Sequence, residues 1–116
     1  MTREEFREYC LSKKGVTEEF PFDMAVAVFK VMGRMFALAD VGFTRVNLKC
    51  EPQRAMELRE AYASVTPGYH MNKRHWNSVA VDGSIEDRLL RAWIDDSYGL
   101  VVGKLTRAQR ERLEAL

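Results

Sequence analysis

No run of this sequence approaches the roughly 20 apolar residues that a helix needs to span a bilayer. Its start, Met1-Thr2-Arg3-Glu4-Glu5-Phe6, is charged and lacks the apolar stretch of a secretory signal. With neither feature present, the expected location is the cytoplasm. Cysteine is scarce as well. Cys10 and Cys50 lie far apart and form no Cys-x-x-Cys pair, so in an intracellular domain they read as buried reduced thiols. There is no internal repeat, no linker and no low-complexity segment to mark a boundary. Residues 1–116 therefore read as one domain, with about 106–116 a short C-terminal helical extension.

Several chemistries lack their residues too. A zinc site needs three or four ligands at suitable spacing, whereas His70 and His75 are five apart with only Cys50 as a further candidate. His75 and Ser78 make a possible base–nucleophile pair, but no acid nearby would orient the imidazole. Asp95 and Asp96 are adjacent on a predicted helix and face different ways. No glycine-rich phosphate loop occurs. The expectation is no cofactor, no metal and no catalytic residues: a binding module, not an enzyme.

What is present is a globular composition, 47% hydrophobic and 30% charged. The formal net charge of +1 hides an asymmetry. Residues 24–50 and 61–81 hold Lys30, Arg34, Arg45, Lys49, Lys73 and Arg74 against the single acid Asp40, a balance of +5, while the rest of the chain carries −4. A near-neutral chain can still present one positive face.

The element signals follow in order. Thr2 with Glu5 is a capping box opening a helix with Phe6, Tyr9, Cys10 and Lys13 on one stripe, ended by Gly15. Glu18 to Asp23 surrounds Phe20-Pro21-Phe22, where proline favours an extended or turning segment. Strands are expected over 25–31 and 35–39, with Met32-Gly33-Arg34 as a hairpin turn. In Arg45 to Cys50, Val46, Leu48 and Cys50 alternate with Arg45, Asn47 and Lys49, the pattern of a half-buried strand whose wet face is basic. Pro52 begins a second helix running to about Tyr62. A strand runs from Trp76 to Val81, Ser84 with Asp87 reads as a capping box for a third helix ended by Gly103, and Thr106 with Gln109 opens a terminal helix. The gaps between strands are short, so the fold class is α+β, a mainly antiparallel sheet with helices packed on one face.

Residues 69–77 stand out. Tyr69-His70-Met71-Asn72-Lys73-Arg74-His75-Trp76-Asn77 packs cations, amides and an indole into nine positions. Lysine and arginine meet phosphate, asparagine hydrogen-bonds base edges or backbone, and Trp76 could stack on a base. Equally, Trp76 could cover the sheet, with Asn72 and Asn77 holding turns. The candidate nucleic-acid or ligand-binding residues are His70, Asn72, Lys73, Arg74, His75, Trp76 and Asn77, with Lys30, Arg45 and Lys49 on the sheet.

The run Pro67 to Asn77 resembles the signature of the bacterial MmcQ/YjbR family. Phe20-Pro21-Phe22, Phe29-Lys30-Val31, Met35-Phe36-Ala37-Leu38, Val46-Asn47-Leu48-Lys49 and Ser97-Tyr98 before Leu100-Val101-Val102 agree with it. The resemblance runs from the first helix to about Leu105. It implies an α-β(3)-α-β(2)-α fold, similar to secretion-chaperone-like and frataxin-like sheets, and a DNA-binding role through a double-wing arrangement. Glu51 stands before Pro52 where relatives tend to have Asp, a better N-cap. Two partners are therefore expected in the alternative: DNA, held weakly through its phosphates, or a protein or peptide held on the chaperone-like sheet.

Overall fold

The computed structural model describes residues 1–22 and 25–116; residues 23 and 24, the end of the expected Glu18 to Asp23 turn and the start of the basic segment 24–50, lie outside the description. The first helix, α1 (Arg3–Leu11), opens on the expected capping box, with Thr2 Oγ1 accepting from Glu5 N at 3.1 Å and Glu5 Oε1 accepting from Thr2 N at 3.0 Å. It buries Phe6 and Cys10 and ends before Gly15. Gly15 instead turns the chain, at φ +74°, into β1 (Val16–Glu19).

That edge strand is the element the sequence did not announce. It has one apolar residue and is held by backbone pairing with β2 (Val26–Val31), in register from Val16↔Val31 to Glu19↔Val28. The strands β2 and β3 (Arg34–Asp40) form the predicted hairpin, its turn made by Met32 and Gly33 at φ 50° and 78°. Two positive φ values in succession suit the right-handed twist of the flanking strands. Then come β4 (Arg45–Lys49), α2 (Pro52–Ala61), β5 (Val65–Pro67) and β6 (Trp76–Ala80). Glu51 caps α2 despite its extra methylene, its two carboxylate oxygens accepting from the amides of Gln53 and Arg54. Those bonds hold its carboxyl below the usual carboxylate range.

The long helix α3 (Asp87–Gly103) starts later than expected. Ser84 does not cap it, because Asp82 Oδ1 holds both the amide and the hydroxyl of Ser84, at 3.0 and 2.6 Å. Asp87 is bound instead by the amino terminus at 2.9 Å. The terminal helix α4 (Arg107–Glu114) opens on the predicted Thr106–Gln109 capping box.

The six strands form one sheet in the order β1-β2-β3-β4-β6-β5, every neighbouring pair antiparallel. The class is α+β as expected, with four strands before α2 where the sequence predicts three. Phe6 and Cys10, Leu58, Trp93 and Ile94, and Leu113 come from the four helices into one cluster, so all of them pack on the same face. Val46 and Leu48 point into that cluster, at 0% and 3% exposure, while Arg45, Asn47 and Lys49 face the other way.

Alternation breaks at one place. Phe29 pairs with Ala37 and Lys30 with Met35, so Phe36 is an extra residue in β3. The bulge turns Phe36 and Ala37 both towards the helices and leaves Met35 and Leu38 on the open face. Beyond it the β3–β4 ladder stops at Ala37↔Leu48. The hydroxyl of Ser97 on α3, fully buried, fills the gap: it donates to Phe36 O at 2.5 Å and accepts from Lys49 N at 2.8 Å. Ser97→Ala would leave a buried donor and acceptor without that partner. A loss of about 1–3 kcal/mol is expected, measured as a lower denaturant midpoint at unchanged slope.

Candidate anion-binding groove

The conspicuous segment 69–77 is largely occupied with holding itself. Gly68 comes so close to β6 that a Cβ there would lie 2.7 Å from Trp76 Cβ, which explains a glycine at the loop's start. Asn72 Oδ1 accepts from Arg74 N at 2.9 Å, and Lys73 Nζ donates to Gly68 O at 2.9 Å. Asn77 is buried and donates to Ala55 O at 3.3 Å. Arg59, a residue not singled out from the sequence, reaches from α2 to donate to Asn77 Oδ1 at 2.6 Å, to Trp76 O at 3.2 Å and to Lys73 O. The amide hydrogen of Cys50 is taken by His75 O at 2.8 Å.

Trp76 is not presented for stacking. Its indole is 7% exposed and packs with Val28 and Leu38 on the open face. Tyr69 folds over the same face, its amide bonded to Ser78 Oγ at 2.9 Å, with the Arg45 guanidinium 3.8 Å above its ring. Tyr69 and His70 rings lie 4.0 Å apart, and His70 adopts φ 58°. Within the motif the exposed side chains of His70 and Arg74 make no hydrogen bond or ion pair among the described residues, and His75 is half-buried.

The open face is less uniformly basic than the alternation implies. The added strand β1 brings Glu19 onto it, where the carboxylate pairs with Lys30 at 3.3 Å. Asp40 sits at the far end and accepts from the amides of Thr44 and Arg45, at 2.8 and 3.2 Å, and from the Thr44 hydroxyl. Burial opposes its ionisation, but these donors prevail and keep its carboxyl below the usual range.

Positive charge instead gathers at one end of the sheet. The β2–β3 turn delivers Arg34, the last residue of β4 is Lys49, and Lys104 caps the C-terminus of α3. These three, with Lys30, line an open groove of about 550 Å³ whose apolar wall includes Met35, Trp76 and the exposed Phe22. Among the described residues Arg34, Lys49 and Lys104 make no ion pair, and no carboxylate lines the groove. Partial burial, then the charges of Lys104 and Arg34, push the Lys49 ammonium below the ordinary lysine value. Of the sequence candidates, Lys30, Lys49 and Trp76 meet here; Arg45 and the 69–74 loop lie elsewhere on the face. Arg34 was visible only as part of the charge asymmetry, and Lys104 gave no signal, because only the topology brings a helix end to a strand end.

A family model described as YjbR matches residues 11–100. The chain belongs to the YjbR family. It is 41% identical to the uncharacterised protein YbdF of Escherichia coli O157:H7 over 96 residues, 81% of this chain and 79% of that one. It is 34% identical to the uncharacterised protein YjbR of Escherichia coli strain K12 over the whole of both chains. The crystal structure of Deinococcus radiodurans protein DR2400, of the domain family DUF419, superposes with a TM-score of 0.92 at 40% identity, covering 97% of this chain and 88% of that one. A Pseudomonas syringae protein follows at a TM-score of 0.74 and 26% identity, over 86% and 98% of the two chains.

In this YjbR-family chain no helix among the described residues is long and apolar enough to cross a membrane. Cys10 and Cys50 are free thiols, the first buried, and burial pushes the Cys10 thiol up to about 12. Two substitutions separate architecture from site. Trp76→Ala should cost about 3–5 kcal/mol and lower Tm, as for a buried aromatic truncated to a cavity. Lys49→Met should raise Tm at pH 7, since it removes a repelled charge. A lysine whose folded pKa is depressed binds fewer protons than in the unfolded chain. Wild-type stability should therefore rise as pH climbs from the lowered value of Lys49 towards 10.5, and Lys49→Met should flatten that rise.

Proposed function

We propose that the chain is a binding module that holds the phosphates of a nucleic acid in the groove formed by Arg34, Lys49 and Lys104. The observation that carries this reading is the convergence of three cations from three elements on one groove without a carboxylate among the described residues. An arrangement that opposes its own charge is relieved by an anion, and arginine and lysine are the usual phosphate donors. The topology supports the convergence: Lys49 pairs with Trp76 and Leu48 with Ala37, so the end of β4 lies at the same end of the sheet as the Met32-Gly33 turn beside Arg34. Trp76 contributes by shaping the groove wall, not by stacking. No reaction is assigned.

Fluorescence anisotropy on labelled single-stranded and duplex oligonucleotides across salt concentrations tests this. Wild-type affinity should fall steeply with salt. A Lys49→Ala, Lys104→Ala double variant should bind all sequences more weakly and lose roughly 1.4–1.8 from the log–log salt slope, about 0.7–0.9 per phosphate contact removed. A double variant with unaltered affinity and slope would contradict the reading. A second reading, a docked peptide, draws on the exposed ring of Phe22, 69% accessible, on the groove wall. Binding of that kind would depend on Phe22 and be nearly indifferent to salt.

A further inference from the structure

We infer that the groove takes a terminal di- or triphosphate carried by a nucleoside, in preference to the interior of a nucleic-acid strand. The inference rests on the phosphate-binding reading above and narrows its ligand. Four observations on the structure lead to it.

The groove is small. About 550 Å³ lies within the range of small-molecule sites, roughly 300–1,000 Å³. The cations are gathered and not strung out. Arg34, Lys49 and Lys104 come from a turn, a strand end and a helix end into that one volume. An interior strand presents one charge per phosphate, spaced by sugars, and is met by a track of cations. Such a track is missing from the described part of the open face. Glu19 neutralises Lys30, Asp40 occupies the far end, and Tyr69 covers the middle beside Arg45. By contrast, consecutive phosphates ending in a free terminus place three or four negative charges within one pocket. Finally, the wall beside the cations is apolar. Phe22, exposed on the groove, offers a flat ring of the kind on which bases stack, and Pro21 lies next to it.

The chemistry, a nucleoside-borne terminal polyphosphate, has two sources: a free nucleotide, or the 5′ end of a nucleic acid. Titration calorimetry without divalent metal separates them. The panel is adenosine tri-, di- and monophosphate, inorganic tripolyphosphate, and one short oligonucleotide with either a 5′-triphosphate or a 5′-hydroxyl. Affinity should fall about tenfold with each phosphate removed, as when one charge-assisted contact is lost. Phe22→Ala should weaken adenosine triphosphate several-fold and leave tripolyphosphate unchanged. Lys49→Met, expected to fold at least as stably as wild type, should weaken both by about tenfold. If the free triphosphate binds as tightly as the 5′-triphosphate oligonucleotide, a free nucleotide suffices. If the oligonucleotide binds more tightly, the strand end is the ligand; either result supports the inference. Equal binding of the 5′-hydroxyl and 5′-triphosphate oligonucleotides, with no binding of nucleotides, would overturn it and leave the strand-binding reading standing. Absence of binding to every anion in the panel would remove both.

Discussion

The hydroxyl of Ser97, set between the carbonyl of Phe36 and the amide of Lys49, is the contact on which the groove end of this molecule depends. The bulge at Phe36 adds a residue to β3 and ends its ladder with β4. Two strands that part inside a protein expose a donor and an acceptor, and burying them unpaired would be costly. One hydroxyl from α3 satisfies both and ties the helix to the gap. Lys49 is thereby fixed at the strand end, Arg34 at the neighbouring turn and Lys104 a short way down the same helix. The groove is a consequence of how the sheet is interrupted.

A second network explains the polar richness of residues 69–77. Arg59 holds Asn77 and two carbonyls of the loop, Asn72 closes a turn, and Lys73 reaches back to Gly68. A loop crossing a sheet face must find partners for its backbone, and the amides and cations of the motif supply many of them. Its indole covers Val28 and Leu38. Much of the segment is thus the scaffold of one wall, and among the described residues Arg34, Lys49 and Lys104 on other elements bring unpaired charge beside Trp76.

The legible parts of the sequence were those whose cause is local. The alternation of Arg45 to Cys50 predicts which side chains face the helices, and the capping boxes at Thr2 and Thr106 mark true helix starts. Where a local signal had a stronger competitor it misled: Ser84 offered a cap, but Asp82 two residues earlier took its hydroxyl. The strand β1 was illegible because Val16-Thr17-Glu18-Glu19 is ordered by pairing with β2 and not by its own pattern. It brings Glu19 to the open face and so neutralises Lys30, which the charge count treats as free. Of the groove, Lys30, Lys49 and Trp76 were legible in the sequence. Arg34 and Lys104 were not, because their proximity to Lys49 arises from a strand order and a helix length that no short window contains.

The claim at the centre of this account is that an anion binds at the end of the sheet and not on the 69–74 loop. A two-dimensional amide NMR titration with pyrophosphate reads the location directly. The account predicts shifts concentrated at Gly33, Arg34, Lys49 and Lys104 and at the Trp76 ring N–H, with His70 to Arg74 changing little. Shifts centred on His70 to Arg74, with Lys49 and Lys104 unmoved, would contradict it.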